Sequence, residues 1–451
     1  MLVNKTKRAK NHLAQLAYIP QPAYDIEFLA NPQQFKQQII ALIQQAQHRI
    51  YITALYWQLD EGGQEIYAEL LKAKQRNPNL DIKVLVDWHR AQRNLLGAAK
   101  STTNADWYSE QREKNHLPEI FFGVPINTRE VFGVLHIKGF VFDDTVLYSG
   151  ASINNVYLHQ LDRYRYDRYQ KIHNPALADS FVAFVQTYLL QVNAVHPLDD
   201  ANRPATKEIR PQIKAFRKEL ASKGHYSVAQ TSDDEQLRIA PLFGLGASRN
   251  QLNQTIEDLF LLVQEKLVIC TPYFNFPRSL QVKIRHLLRE GKQVEIIVGD
   301  KTANDFFIPP SEPFKIAGAL PYLYEKNLRI FSQKFSEEIA SGALTIRLWK
   351  EGNNSYHLKG VWVDHQYILL TGNNLNPRAW RLDAENGLLI HDPKQQLRTQ
   401  VEQELDNIRQ HTQVLTHFSE LEEMEHYPDA VQRLLKRFAR VKVDKIVKMI
   451  L

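Results

Sequence analysis

One cysteine, Cys270, stands among 451 residues. Neither an intramolecular disulfide nor a cysteine-built zinc site can form, and the chain suits a reducing compartment. No stretch reaches the roughly 18 apolar residues that a simple bilayer-spanning helix needs. The N-terminus has lysines but lacks the apolar core of a signal peptide. Glycine and proline are not in excess, at 18 and 20 residues, and the chain is 44% hydrophobic and 24% charged. These proportions exclude collagen, coiled coil and wholesale disorder. The length allows two to three domain-sized units.

Charge is concentrated at the ends. Lys5, Lys7, Arg8 and Lys10 give residues 1–24 a charge of +4, and residues 428–451 carry +5, against a net charge of +6 for the whole chain. The stretch between is therefore slightly acidic. Just before the basic tail, residues 401–427 carry −6. A basic tail next to an acidic block offers a surface to nucleic acid, to anionic lipid or to the block itself. In the tail, Val431, Leu434, Leu435, Phe438, Ile446, Val447 and Ile450 recur at helical spacing among Arg433, Lys436, Arg437, Arg440, Lys445 and Lys448. That pattern predicts a basic amphipathic helix. It fits either a lipid interface or a C-terminal helix packed on the core with a solvated charged face.

The chain is written twice. A helical stretch from Phe35 to Ala46 runs into Ile50–Tyr56, and a second from Ile256 to Val263 runs into Leu267–Tyr273. Each is followed by another helical segment and by an apolar strand ending in an aspartate, Asp87 or Asp300. Each half then reaches a His-x-Lys segment, at His136 and at His357. Corresponding landmarks lie 213 to 221 residues apart. A shared order at near-constant offset implies a duplicated α/β unit with a mixed or parallel sheet covered by helices. The expected division is a basic arm over 1–24, a first unit over 25–194, a polar linker with one helix over 195–237 and a second unit over 238–400. Residues 401–451 are expected to be helical and to belong to neither repeat.

The chemistry sits in the duplicated segment. His136-Ile137-Lys138 and His357-Leu358-Lys359 each precede an aspartate, Asp143 or Asp364, at the same spacing. Each is followed by an asparagine-bearing turn, Gly150 to Asn154 or Gly372 to Asn376, and later by an acid, Asp167 or Glu385. In an extended chain, residues i and i+2 share a side, so each histidine points with its lysine. Two such segments meeting at a pseudo-two-fold surround one pocket with two imidazoles and two ammoniums. Lysines neutralise phosphate oxygens, and Asn154 and Asn376 add neutral donors. One neutral histidine can attack phosphorus while the other, protonated, donates to the leaving oxygen. Asp167 and Glu385 can hold the far ring nitrogens and fix the tautomers. Asp143 and Asp364 are expected to be structural, bonding backbone or a lysine. No carboxylate cluster calls for a metal, and no metal or other cofactor is expected. Among the remaining histidines only His89, at a strand end, invites a role in binding.

These residues make the chain resemble the phospholipase D superfamily, whose signature is this duplicated His-Lys-Asp motif. The resemblance spans about 30–395 and implies two tandem phospholipase D-like α/β repeats, each a central mixed sheet flanked by helices, related by a pseudo-two-fold, with C-terminal helices added. Further segments, among them Val86 to Arg93, Gly123 to Glu130, Val298 to Asp305 and Thr371 to Asp383, resemble the Gram-negative bacterial CDP-diacylglycerol–serine O-phosphatidyltransferases. That likeness covers nearly the whole chain. It implies CDP-diacylglycerol and L-serine as substrates, and a ping-pong transfer through phosphatidyl-histidine in which CMP leaves and serine accepts. His136 is the expected nucleophile by family analogy. His89, Arg90, Tyr56, Tyr273 and Arg378 are expected substrate contacts. An enzyme whose substrate lies in a bilayer must dock. The resemblance therefore favours the lipid reading of the tail, with Arg433, Lys436, Arg437, Phe438, Arg440, Lys445 and Lys448 on an anionic membrane. The expected location is cytoplasmic, peripheral to the inner face of the cytoplasmic membrane. The basic ends also suit nonspecific polyanion binding, and the sequence does not set the oligomeric state. Phe306 to Pro310, with Phe314, Leu320 and Tyr322, either lines an acyl-chain entrance or packs on the core. Rival readings are a cardiolipin synthase-like transferase or phospholipase D, a superfamily nuclease, and a non-enzymatic adaptor. The slightly acidic body argues against a nuclease, and two intact motifs argue against an adaptor.

Overall fold

A computed structural model describes residues 2–94, 101–229, 233–309 and 311–440. Two mixed sheets organise it, one for each half. The first runs His196–Pro197, Phe121–Val124, Asp81–Asp87, Arg49–Thr53, Gly139–Phe142, Thr145–Ser149, Tyr169–His173, Ile26–Leu29. The second runs Thr412–Leu415, Leu344–Trp349, Gln293–Gly299, Lys266–Thr271, Gly360–Val363, Tyr367–Thr371, Ala384–His391, Arg238–Leu245, Ile19–Pro20. The first eight strands correspond one to one in this order. In both sheets three neighbouring strands are parallel, Arg49–Thr53 with Asp81–Asp87 and Phe121–Val124, and Lys266–Thr271 with Gln293–Gly299 and Leu344–Trp349. The β-branched residues Ile50, Ile52, Val84 and Val86, and Ile269, Ile296 and Val298, are buried, as strands covered on both faces require.

The helices repeat as well, down to their caps. Helix Pro32–Gln45 starts at Asn31, whose side chain accepts from Gln34 N–H at 2.9 Å, and it buries Phe35, Ile39 and Ile43. Its counterpart Gln251–Leu262 starts at Asn250, which accepts from Asn253 N–H at 2.9 Å, and it buries Leu252, Ile256 and Leu259. Asparagine supplies an acceptor to an otherwise unpaired first-turn donor, and the i, i+4 spacing supplies the apolar face. The motif aspartates close the hairpins. Asp143 accepts from the backbone N–H of Gln47, His48 and Arg49 at 2.8, 2.8 and 2.9 Å. Asp364 accepts from Gln264, Glu265 and Lys266 at 2.6, 2.9 and 2.8 Å. Each carboxylate thus pins the chain entering the central strand of its sheet.

The peripheral segments are tied in more closely than their composition suggests. The basic N-terminus forms helix Leu2–Ala14, with His12 Nδ1 at 2.7 Å from Asp258. Leu13, Leu16 and Tyr18 enter the core of the second half, and Ile19–Pro20 pairs with Arg238–Leu245. Between the halves, His196–Pro197 adds an edge strand to the first sheet, and helix Arg210–Lys223 buries Ile213, Phe216 and Leu220. The region after 400 is not wholly helical: Thr412–Leu415 pairs with Leu344–Trp349 and occupies the edge that His196–Pro197 takes in the other sheet. Four residues, Thr-Gln-Val-Leu, are too short to display a strand period in sequence. Helix Asp429–Arg440 follows. Val431 and Leu435 pack with Ala319, Tyr322 and Leu323, while Arg433, Lys436 and Arg437 are exposed. The side chains of Phe438 and Arg440, and all of Lys445 and Lys448, lie outside the described residues. Among the described residues no helix is long and apolar enough to cross a membrane.

Candidate active site

The His-x-Lys segments do not sit inside the regular ladders. The strands begin one residue later, at Gly139 and Gly360. The segments are extended because each pairs across the boundary between the halves. Backbone N–H of His136 donates to the carbonyl of Ala384 at 2.9 Å. Backbone N–H of His357 donates to the carbonyl of Tyr166 at 2.8 Å, beside a parallel pairing of Ser355–Tyr356 with Arg165–Tyr166. The residue after each accepting carbonyl is the acid, Glu385 or Asp167. The carboxylates are therefore exchanged between repeats. His136 Nδ1 is 2.9 Å from both oxygens of Glu385, and His357 Nδ1 is 2.9 Å from Asp167 Oδ2.

The asparagine turns close the site. An added Cβ on Gly150 would stand 2.7 Å from both Asp167 oxygens, and one on Gly372 would stand 3.0 Å from Lys138 Cγ. Glycine suits both turns because of close approach: at Gly150 to the Asp167 carboxylate of its own repeat, and at Gly372 to the Lys138 stem of the other repeat. Lys138 Nζ lies 3.4 Å from Ser152 Oγ, and Lys359 Nζ lies 3.3 Å from Asp167 and 3.1 Å from His357 Nε2. Asn154 Oδ1 accepts from Tyr157 N–H at 3.2 Å, and its Nδ2 donates to Gln58 at 3.1 Å. Asn376 Oδ1 caps the helix Pro377–Arg381 by accepting from Ala379 N–H at 2.9 Å. Both histidines, both lysines and both acids are buried within electrostatic reach of one another, and Asn154 and Asn376 are buried on the adjoining turns.

Burial and crowded cations set the protonation. Burial, then Lys138 and Lys359, hold His136 well below the usual imidazole range. Burial and Lys359 push His357 down to about 4, while Asp167 and Asp305 act in the other direction. Burial and the Lys359 ammonium bring Lys138 down to about 7. The two acids differ. Burial opposes charge on Asp167, but Lys359 and His357 hold it below the ordinary carboxylate range. Burial and the neighbouring Asp383 push Glu385 up. His357 thus faces a full anion, which favours its charged form. Burial turns the Glu385 carboxyl toward its neutral form, so His136 faces less of an anion, which favours the neutral ring.

The residues expected to bind substrate are distributed around this centre. The Tyr273 ring stands edge-on to His357 with centroids 6.0 Å apart. Tyr56 carries the Arg90 guanidinium 5.1 Å from its ring centre, and both line a cavity of about 380 Å³ with Gln58 and Arg93. His89 Nε2 lies 2.7 Å from the Asn127 carbonyl, and Arg378 Nε donates to Asp383 at 2.9 Å. The structure also shows partners that motif reading overlooked. Asn386 grips the backbone of Lys138, accepting from its N–H and donating to its carbonyl, both at 2.8 Å. Tyr157 Oη lies 2.9 Å from His357 Nδ1, and Arg165 stacks 5.0 Å from the Tyr157 ring centre. Arg165 precedes Asp167 by two, and that same-side spacing was the available signal.

Comparison with known proteins accords with this geometry. Residues 39–183 and 259–409 match the family described as cardiolipin synthase, PLD-like domain. The chain is 68% identical to CDP-diacylglycerol–serine O-phosphatidyltransferase of Haemophilus influenzae and 51% identical to CDP-diacylglycerol–serine O-phosphatidyltransferase PssA of Escherichia coli, with 100% of each chain covered. The crystal structure of phosphatidylserine synthase from Haemophilus influenzae superposes with a TM-score of 0.97 at 67% identity, covering 99% of this chain and 100% of that one. The chain belongs to the phospholipase D-like family, in its phosphatidylserine synthase branch.

Proposed function

We propose that the protein transfers the phosphatidyl group of CDP-diacylglycerol to the hydroxyl of L-serine by two displacements at one histidine. The observation that carries this reading is the exchanged pairing, in which His136 leans on Glu385 and His357 on Asp167. Neutral His136 attacks phosphorus through Nε2, the bond to the CMP oxygen breaks, and protonated His357 gives its proton to that oxygen. Lys138 and Lys359 take the non-bridging oxygens, and the arriving anion raises their affinity for protons along with that of His357. In the second displacement His357 removes the serine hydroxyl proton as that oxygen attacks, and the His136–phosphorus bond breaks. The cavity bordered by Tyr56, Gln58 and Arg90 suits the nucleotide, since Gln58 also touches Asn154 at the centre. No metal or other cofactor enters this scheme.

Docking on anionic lipid belongs to the same reading. Asp305 and Phe306 adjoin Tyr273, beside His357. Beyond them Phe314 and Ile316 are 43% and 70% exposed, next to the Ala319–Leu323 stretch on which the C-terminal helix lies. Exposed apolar side chains beside exposed Arg433, Lys436 and Arg437 make a surface suited to the interface of an acidic membrane. Its place is the inner face of the cytoplasmic membrane.

The test is CMP release from CDP-diacylglycerol with and without serine, with the lipid product identified. CMP and phosphatidylserine should form together when serine is present. Phosphatidic acid as the main product in the presence of serine would instead indicate a hydrolase.

A further inference from the structure

We propose that Arg165 and Asp305 form the acceptor subsite, Arg165 receiving the α-carboxylate and Asp305 the α-ammonium of a zwitterionic amino acid. The inference rests on the serine-transfer reading and names the groups that select the acceptor. Each residue is joined to the acid–base histidine through one tyrosine. Arg165 stacks on Tyr157, whose hydroxyl reaches His357. Asp305 accepts from the Tyr273 hydroxyl at 2.6 Å, and the Tyr273 ring stands against His357. An acceptor held between them has its hydroxyl next to the histidine that must take its proton.

The pair is poised to exchange partners. Arg165 Nη2 meets Asp305 Oδ2 at 3.4 Å, and Arg165 Nε meets Ser355 Oγ at 3.4 Å. Structural pairs in this protein look different: Arg168 grips Glu404 through two bonds of 2.8 Å each. A bidentate grip leaves few donors for a ligand, whereas two long contacts, one to Asp305 and one to Ser355, hold Arg165 more loosely. The Arg165 and Asp305 side chains are 16% and 12% exposed, so the site is sheltered but reachable. Burial works against charge on Asp305, yet Arg165 and His357 hold it below the usual carboxylate range, so it is an anion at neutral pH.

Charge matching explains the choice of acceptor. Without a ligand the two residues neutralise each other. A zwitterion replaces that one contact by two charge-matched ones and leaves no charge uncompensated. Glycerol and water satisfy neither residue. Ethanolamine leaves Arg165 without its carboxylate, and 3-hydroxypropionate leaves Asp305 without its ammonium. A buried group left unpaired discriminates strongly between otherwise similar ligands.

The test uses the full chain with Arg165→Gln and Asp305→Asn. Competing serine, ethanolamine and 3-hydroxypropionate are supplied as acceptors, and exchange of labelled CMP into CDP-diacylglycerol without any acceptor is measured alongside. Arg165→Gln should narrow the preference for serine over ethanolamine by about tenfold or more. Asp305→Asn should narrow the preference for serine over 3-hydroxypropionate to a similar degree. In both, the KM for serine should rise by more than CMP exchange falls. Arg165→Lys should keep more of the preference than Arg165→Gln. Exchange that persists with unmoved preferences, or a uniform loss with all three acceptors, would overturn the subsite alone. Absence of CMP exchange in the unaltered enzyme would overturn the covalent reading and the subsite with it.

Discussion

His136 Nδ1 lies 2.9 Å from both carboxylate oxygens of Glu385, a residue 249 positions later in the other repeat. The mirror contact joins His357 to Asp167, 190 positions earlier. Neither repeat therefore contains a complete acid–base unit. The half that supplies an imidazole takes its orienting carboxylate from its partner, and the same backbone pairing that joins the halves sets both contacts.

The carboxylates should matter unequally by step. Glu385→Gln should reduce turnover by about 10–100-fold, the usual cost of losing an outer partner of a working histidine. The loss should appear in CMP exchange, which needs the nucleophile. Asp167→Asn should lose at least as much, and its pH profile should shift because the acid–base histidine no longer faces an anion. Single-turnover measurement of CMP release in each variant checks this.

In the proposed transfer Lys138 and Lys359 take the charge of the reacting phosphate, so either change to alanine should cost about 10²–10³ in turnover, as for loss of an oxyanion donor. Burial and Lys359 lower Lys138 to about 7. Its charged form therefore prevails below that pH and is lost above it. In the free enzyme kcat/KM should fall as pH rises through about 7, while kcat should hold to higher pH because bound phosphate restores the proton. Lys138→Arg should remove that alkaline limb, since a guanidinium does not titrate there.

Asp143 should behave otherwise, although it belongs to the same motif. Asp143→Ala strips three backbone N–H groups of their acceptor. It should cost about 1–3 kcal/mol of stability, with turnover per folded molecule little changed. Thermal melting together with activity per folded molecule separates the two effects.

The duplication was legible in the sequence because the two His-x-Lys segments and their aspartates recur at one spacing, whereas the two acids follow their histidines at different distances and were marked only by their order along the chain. The exchange of Glu385 and Asp167 was not legible. Nothing local tells a carboxylate which of two equivalent histidines it will meet, and only pairing of Leu135 with Ala384 and of Tyr356 with Tyr166 decides it. Asn386 escaped for a similar reason: its partner is the Lys138 backbone, which carries no side-chain signature. Thr412–Leu415 and Ile19–Pro20 are too short for a period and take their strand form from the sheet edges they join. Over Asp429–Arg440 the tail is helical, as its pattern predicts, while Ile446, Val447 and Ile450 lie outside the described residues; periodicity could not say that Val431 and Leu435 would meet Tyr322 and Leu323.

The exposed cations of that helix should govern attachment to lipid. Changing Arg433, Lys436 and Arg437 together to glutamine removes three charges, each contributing on the order of 1 kcal/mol near an anionic surface. Co-sedimentation with acidic vesicles should weaken by roughly a hundredfold at low salt, and the difference should shrink as salt rises. Binding to neutral vesicles should change far less. Equal sedimentation of both forms on acidic vesicles would reduce the helix to a packing element.

The central claim is a covalent phosphatidyl-histidine made by one repeat and resolved with the help of the other. The most direct measurement is to quench the enzyme with labelled CDP-diacylglycerol before serine is added and to map the labelled peptide. The account predicts label on His136, none in His136→Ala, and little accumulation in His357→Ala, where the leaving CMP lacks its acid. Label on His357 in place of His136 would reverse the roles assigned to the two halves, and label on neither, with CMP released at the normal rate, would contradict the covalent mechanism.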